Sequence, residues 1–143
     1  MEWRSEKFAA DPGSIRAART FVRAVFDTLG VEMADAVLFT GELASNAVEH
    51  ANTEIEVIVW VGEHTVRIEV YDGVTVTEGF RAFVETHAQQ VDAGSPRGRG
   101  LALVRRTALR FGVLDNGESS KAVWFEMALT RPYAPAVGAA GGI

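Results

Sequence analysis

Apolar and polar positions recur along this chain with two different periods. Between residues 54 and 61, Ile55, Val57, Val59 and Val61 alternate with Glu54, Glu56, Ile58 and Trp60. Between residues 65 and 72, Val66, Ile68 and Val70 alternate with Thr65, Arg67, Glu69 and Tyr71. A period of two marks a strand with one buried face. The short Gly62-Glu63-His64 connection makes the pair an antiparallel hairpin. Residues 111–114 and 121–129 read as two more strands, the second with Val123, Phe125, Met127 and Leu129 inward and Trp124 and Glu126 outward. Weaker alternation predicts a short strand near residues 3–9.

Helical spacing takes over elsewhere. Ile15, Ala18, Val22, Val25, Phe26 and Leu29 form one stripe, with Asp11-Pro12 suited to its start and Gly30 to its end. Arg16, Arg19 and Arg23 lie off that stripe and read as a solvated face. A second helix covers about residues 32–51, with Val37, Leu38, Ala44 and Val48 as its apolar flank. A third opens at Gly98-Arg99-Gly100 and covers about residues 101–109. The order strand, helix, helix, strand, strand, loop, helix, strand, strand predicts an α+β fold. It is a two-layer sandwich, a mixed and mostly antiparallel sheet covered on one face by helices. Residues 73–97 are the least regular stretch, with a short helix near 80–91 built on Phe80, Phe83 and Val84. A stretch of that kind reads as a lid or binding loop. The Pro-, Ala- and Gly-rich tail over 131–143 reads as disordered, leaving residues 1–130 as a single domain.

Composition removes several function classes. The 19 acidic against 14 basic residues give a formal charge of −5, which argues against direct nucleic-acid binding. With no cysteine, disulfides and thiolate metal sites are excluded. No run approaches the roughly 18 apolar residues of a membrane span, and the charged N-terminus lacks a signal-peptide core. The default is a cytoplasmic protein without a membrane partner.

Three patches carry candidate chemistry. On the second helix Glu42, Asn46 and His50 fall at i, i+4 and i+8, along one face. A carboxylate and a carboxamide one turn apart suit a site where one takes a proton and the other offers an oxygen to a hard cation such as Mg²⁺. By itself this pattern is more often a solvated face. On the second hairpin strand, the parity of Val66, Ile68 and Val70 puts Asp72 on the inward face, where a carboxylate must find donors. A turn role beside Gly73 explains Asp72 equally well. The Gly98-Arg99-Gly100 turn offers a helix N-terminus to a phosphate, among Arg97, Arg99, Arg105 and Arg106.

The ordered set resembles the GHKL (histidine-kinase-like) ATPase superfamily, which includes DNA gyrase and the histidine kinases. The match runs over about residues 5–130. Glu42-Leu-Ala-Ser-Asn46-Ala-Val-Glu-His50 looks like the N box of its compact anti-sigma-factor serine/threonine kinase branch, of the actinobacterial type. Val70-Tyr-Asp72-Gly73 looks like the first glycine box, Gly98-Arg-Gly100-Leu101 like the second, and Val123-Trp-Phe-Glu126 like the closing strand. The resemblance implies a Bergerat-type fold that binds ATP and Mg²⁺. Asn46 would ligate the metal, Glu42 would be the general base, and Asp72 with Gly73 would hold the adenine. Arg97, Gly98, Arg99, Gly100 and Leu101 would line the phosphates. It also implies phosphorylation of an anti-sigma-factor antagonist, a sigma factor as second partner, and a homodimer. The alternative is a weak or inactive binding module on the same fold. Val74 and Val76 stand where the first glycine box carries glycines, and Ala122 stands where relatives carry a threonine that supports the aspartate. Neighbouring Ser119, Ser120 and Lys121 offer no assured substitute. Both changes are expected to weaken nucleotide binding and spare the fold.

Overall fold

A computed structural model describes residues 1–89 and 99–135. Its elements are β1 (Glu2–Phe8), α1 (Gly13–Leu29), α2 (Ala34–His50), β2 (Ile55–Val61), β3 (Thr65–Asp72), α3 (Glu78–Gln89), α4 (Arg99–Thr107), β4 (Arg110–Asp115) and β5 (Lys121–Ala128). The sheet order is β1-β2-β3-β5-β4, and every pairing is antiparallel. The mixed sheet expected from sequence is therefore a purely antiparallel one. With β4 at an edge beside β5, no parallel neighbour arises.

The strand alternation decides which face is covered. Ile55, Val57, Val59 and Val61 are fully buried, as are Val66, Ile68 and Phe125, and the helices lie over them. Phe39 of α2 meets Phe125 edge-on at 5.8 Å, so the second helix sits over the middle of the sheet. α1 lies against α2 and reaches β1 through Phe21, 6.1 Å from Phe8. Its start is held by Asp11, whose carboxylate accepts the Gly13 N–H at 2.7 Å. Its end is held by Gly30 in the left-handed region (φ 71°), which lets Val31 N–H reach Phe26 O at 2.8 Å.

Three boundaries differ from the expected ones. The helix after β3 begins at Glu78, because Thr77 Oγ1 accepts the Phe80 N–H at 3.0 Å and caps its first turn. α4 is described from Arg99 onward, so Gly100 lies inside the helix rather than before it. The tail is docked as far as Tyr133, which packs on the core and donates its N–H to Glu63 O at 2.8 Å. On α2 the apolar flank includes Phe39 and Leu43, while Leu38 is 44% exposed. Leu38 is one turn before Glu42, so it heads the polar row and not the buried stripe. Among the described residues, no helix is long and apolar enough to cross a membrane.

The uncovered face of the sheet carries all three tryptophans. Trp3 and Trp60 pair across β1 and β2 at 5.8 Å, and Arg67 lies 3.8 Å over the Trp124 ring. Glu69 is buried among them, accepting from Trp60 Nε1 at 3.0 Å and Arg67 Nε at 2.8 Å. Burial, and then the neighbouring Glu69 carboxylate, push the Tyr71 phenol above its ordinary value.

Candidate active site

The site grows from the polar row of α2. Glu42 and Asn46 are half-buried and His50 is exposed, in line along the helix as the spacing requires. Two glycines bring other elements close to this row. At Gly41 the aliphatic stem of Arg19 from α1 crosses the helix, and a Cβ there would lie 2.8 Å from Arg19 Cδ. At Gly100, in the first turn of α4, a Cβ would overlap the Glu42 side chain, with Cγ at 2.7 Å. The N-terminal turn of α4 therefore rests directly on Glu42. Helix N-termini in general carry free N–H groups and a partial positive charge. Leu101, the next residue, is buried and anchors the turn in the core.

At the far end of the row α3 closes on α2. The Phe83 ring makes tilted contacts with both His50, at 4.4 Å, and His87, at 4.0 Å. One turn earlier on α3, Phe80 faces the end of the sheet. There Asp72 ends β3 directly opposite Lys121, the first residue of β5. The inward reading of Asp72 is the one observed: it is 7% exposed and Lys121 is 2% exposed. Asp72 Oδ1 accepts from Lys121 Nζ at 2.7 Å and from the Val74 N–H at 2.9 Å. The turn role is thus present as well, in the same carboxylate. The Lys121 ammonium lies 4.5 Å from the centre of the Phe80 ring, a cation–π contact. Thr53, just past α2, accepts the Gly73 N–H at 2.9 Å and ties the turn after β3 to the end of the polar row.

These contacts link the predicted residues into one constellation along α2. Glu42, Gly100 and Leu101 stand at one end, and Asp72 and Gly73 are reached through Thr53, Phe80 and Lys121 at the other. Arg97 and Gly98 lie outside the described residues, as does the side chain of Arg99. Ala122 faces Tyr71 across the sheet, whereas Lys121 faces Asp72, so register makes Lys121 the aspartate's partner. Val74 keeps an ordinary backbone conformation, since no described non-glycine residue has positive φ. Gly73 has none either, and a Cβ on it would be 3.4 Å from Thr53, an ordinary contact. Of the three described glycines in the site, Gly41 and Gly100 are held small by close approach and Gly73 is not.

The residue set suits a magnesium nucleotide better than a bare metal. Among the described residues there is no group of three or more His, Asp or Glu able to hold a metal alone. Mg²⁺ usually takes one or two protein oxygens and completes its shell with phosphates and water. The Asn46 carboxamide is such an oxygen, one turn from the carboxylate of Glu42.

Comparison with known proteins decides the family. The model of the histidine kinase-like ATPase domain matches residues 8–127. The chain belongs to that family. Among solved structures it is similar to the catalytic domain of histidine kinase ThkA, in a nucleotide-free form, with a TM-score of 0.53 and 16% identity. That likeness covers 90% of this chain and 96% of the other, and it supports the fold alone. No curated protein sequence matches significantly.

Proposed function

We propose that this histidine kinase-like ATPase domain binds Mg-ATP and acts as an anti-sigma-factor serine/threonine kinase on an anti-sigma-factor antagonist. The observation that carries the reading is the seating of α4's first turn on Glu42, one turn from Asn46. That arrangement supports the reading, because a helix end, a carboxylate and a carboxamide oxygen are the kinds of group that phosphoryl transfer uses.

In the reaction, a serine or threonine oxygen attacks the γ-phosphorus and forms the new P–O bond. The bond from that phosphorus to the β–γ bridging oxygen breaks, and ADP departs. Glu42 takes the hydroxyl proton. Mg²⁺, held by Asn46, would neutralise phosphate charge when bound. The α4 N-terminus offers its free N–H groups to the same oxygens, and Gly100 lets them approach. Asp72 accepts from the exocyclic amine of the base. A sigma factor and the antagonist are the protein partners, and a homodimer is the working assembly.

The test is transfer of the γ-phosphate from ATP to a purified antagonist, in the parent and in Glu42→Ala. The variant is expected to bind nucleotide and lose transfer. No transfer by the parent to an antagonist that it binds, across Mg²⁺ concentrations, would sink the kinase reading. A second reading, a binding module with little or no transfer, is favoured by one observation. Asp72, the residue expected to meet adenine, is already paired with Lys121 through Oδ1.

A further inference from the structure

Asp72, the carboxylate that the nucleotide reading sets against a base, is enclosed by the chain's own groups. It is buried, as is its partner Lys121. Lys121 Nζ donates to Asp72 Oδ1 at 2.7 Å, and the Val74 N–H donates to the same oxygen. The Phe80 ring closes over the ammonium, with its centre 4.5 Å away. Stability alone does not call for such a pair, since apolar side chains of similar volume usually serve as well. Its geometry imitates a ligand. An aminopurine would bring a flat ring and an N–H donor to this carboxylate. Phe80 supplies a flat ring there, and Lys121 supplies an N–H donor.

The element that carries Phe80 is lightly held. On α3 only Val84 and Ala88 are buried, whereas α2 buries eight residues. Phe80 and Phe83 are half-buried, and Phe83 reaches the end of α2 through His50 at 4.4 Å. Elements with few buried side chains open at low cost. Lysine has a flexible four-carbon stem that can carry its ammonium from a buried spot to water.

We propose that Phe80 and Lys121 form an autoinhibitory plug in the base site, which a nucleotide enters by displacing them. This rests on the nucleotide-binding reading above. In the plugged state Lys121 satisfies Asp72 and Phe80 covers the ammonium. In the open state α3 lifts and the ammonium swings out to water. The exocyclic amine of the base then takes over the bond to Asp72. Apparent affinity is reduced by the fraction of molecules that stand open, so loosening the plug raises it.

The test is calorimetric titration of the full chain with Mg-ATP, in the parent and in Phe80→Ala. The variant is expected to bind about tenfold more tightly, the size of one desolvated cation–π contact. An affinity that stays fixed or falls overturns the plug, since Phe80 would then be indifferent to the base or a platform for it. If Phe80→Ala does not fold, amine labelling decides on the unaltered protein. The chain has two lysines, Lys7 and Lys121, and the exposed Lys7 serves as internal reference. Acetylation of Lys121 relative to Lys7, read by mass spectrometry, is expected to rise about tenfold at saturating Mg-ATP. A ratio that stays fixed or falls overturns the plug. A folded parent and a folded variant that both bind no nucleotide remove the nucleotide reading itself and the plug with it. That result is distinct from nucleotide bound equally well by both.

Discussion

Lys121→Met removes one charge from a buried pair and keeps the length of the side chain. Asp72, 7% exposed, would then keep a single described donor, the Val74 N–H at 2.9 Å. Breaking a buried pair from one side costs about 3–5 kcal/mol, because the remaining charge is stranded. The retained backbone donor places this case near the low end, about 3 kcal/mol. For a domain of this size that lowers Tm by roughly 12 °C. With a urea slope of about 2 kcal/mol/M, the unfolding midpoint falls by roughly 1.5 M. Urea unfolding followed by tryptophan fluorescence is the assay, since Trp3, Trp60 and Trp124 all lie on the open face of the sheet and report its loss. Asp72→Asn together with Lys121→Met is expected to recover much of the loss, with a coupling energy of about 2 kcal/mol. A midpoint shift in Lys121→Met below about 0.3 M, or costs that simply add in the double variant, would refute the reasoning. It would mean that the carboxylate reaches water and was never stranded.

Gly100→Ala gains about 1 kcal/mol of helix propensity but sets a methyl group against Glu42, an overpacking cost of about 1–3 kcal/mol. Urea midpoints are expected to fall by no more than about 1 M, the net of these two terms, while phosphate transfer falls about a hundredfold because the base is displaced. Gly73→Ala meets Thr53 at ordinary contact distance, and its stability is expected to stay within about 0.5 kcal/mol of the parent in the same urea assay. The Tyr71 phenol is raised above 10.0 in the fold by burial and Glu69. Its contribution to stability is therefore present below pH 10 and is lost as pH rises through the higher folded value. Urea midpoints between about pH 8 and 11 should fall less steeply in Tyr71→Phe, and an unchanged slope would contradict the assignment.

The parts of this site that sequence revealed are those set by short-range period. Parity over Val66, Ile68 and Val70 makes the inward reading of Asp72 available, beside an equally good turn role, because alternation along a strand needs only the strand itself. Helical spacing aligned Glu42, Asn46 and His50 for the same reason. What remained hidden depends on pairing across distance. Lys121 lies 49 residues from Asp72, and only the β3–β5 register, one residue away from a match at Ala122, brings them together. The contact of Gly100 with Glu42 is likewise tertiary, so the glycine's reason to be small was not visible in its own neighbourhood. Leu38, apolar and counted with Val37 in the flank, lies about 100° of helix from it and falls on the polar row instead. Tyr133 sits in a stretch whose Pro and Ala content suggested disorder, and one aromatic ring with one backbone hydrogen bond holds it down.

The most direct measurement of the central claim is thermal unfolding with and without Mg-ATP, in the parent and in Asn46→Ala. Nucleotide at about 100 times its dissociation constant adds about 2.7 kcal/mol to the stability of a protein that binds it only when folded. That is roughly a 10 °C rise in Tm for this size of domain. The account expects this rise in the parent, its dependence on Mg²⁺, and its loss in Asn46→Ala. An unchanged Tm at millimolar Mg-ATP, or an equal rise in Asn46→Ala, would contradict it.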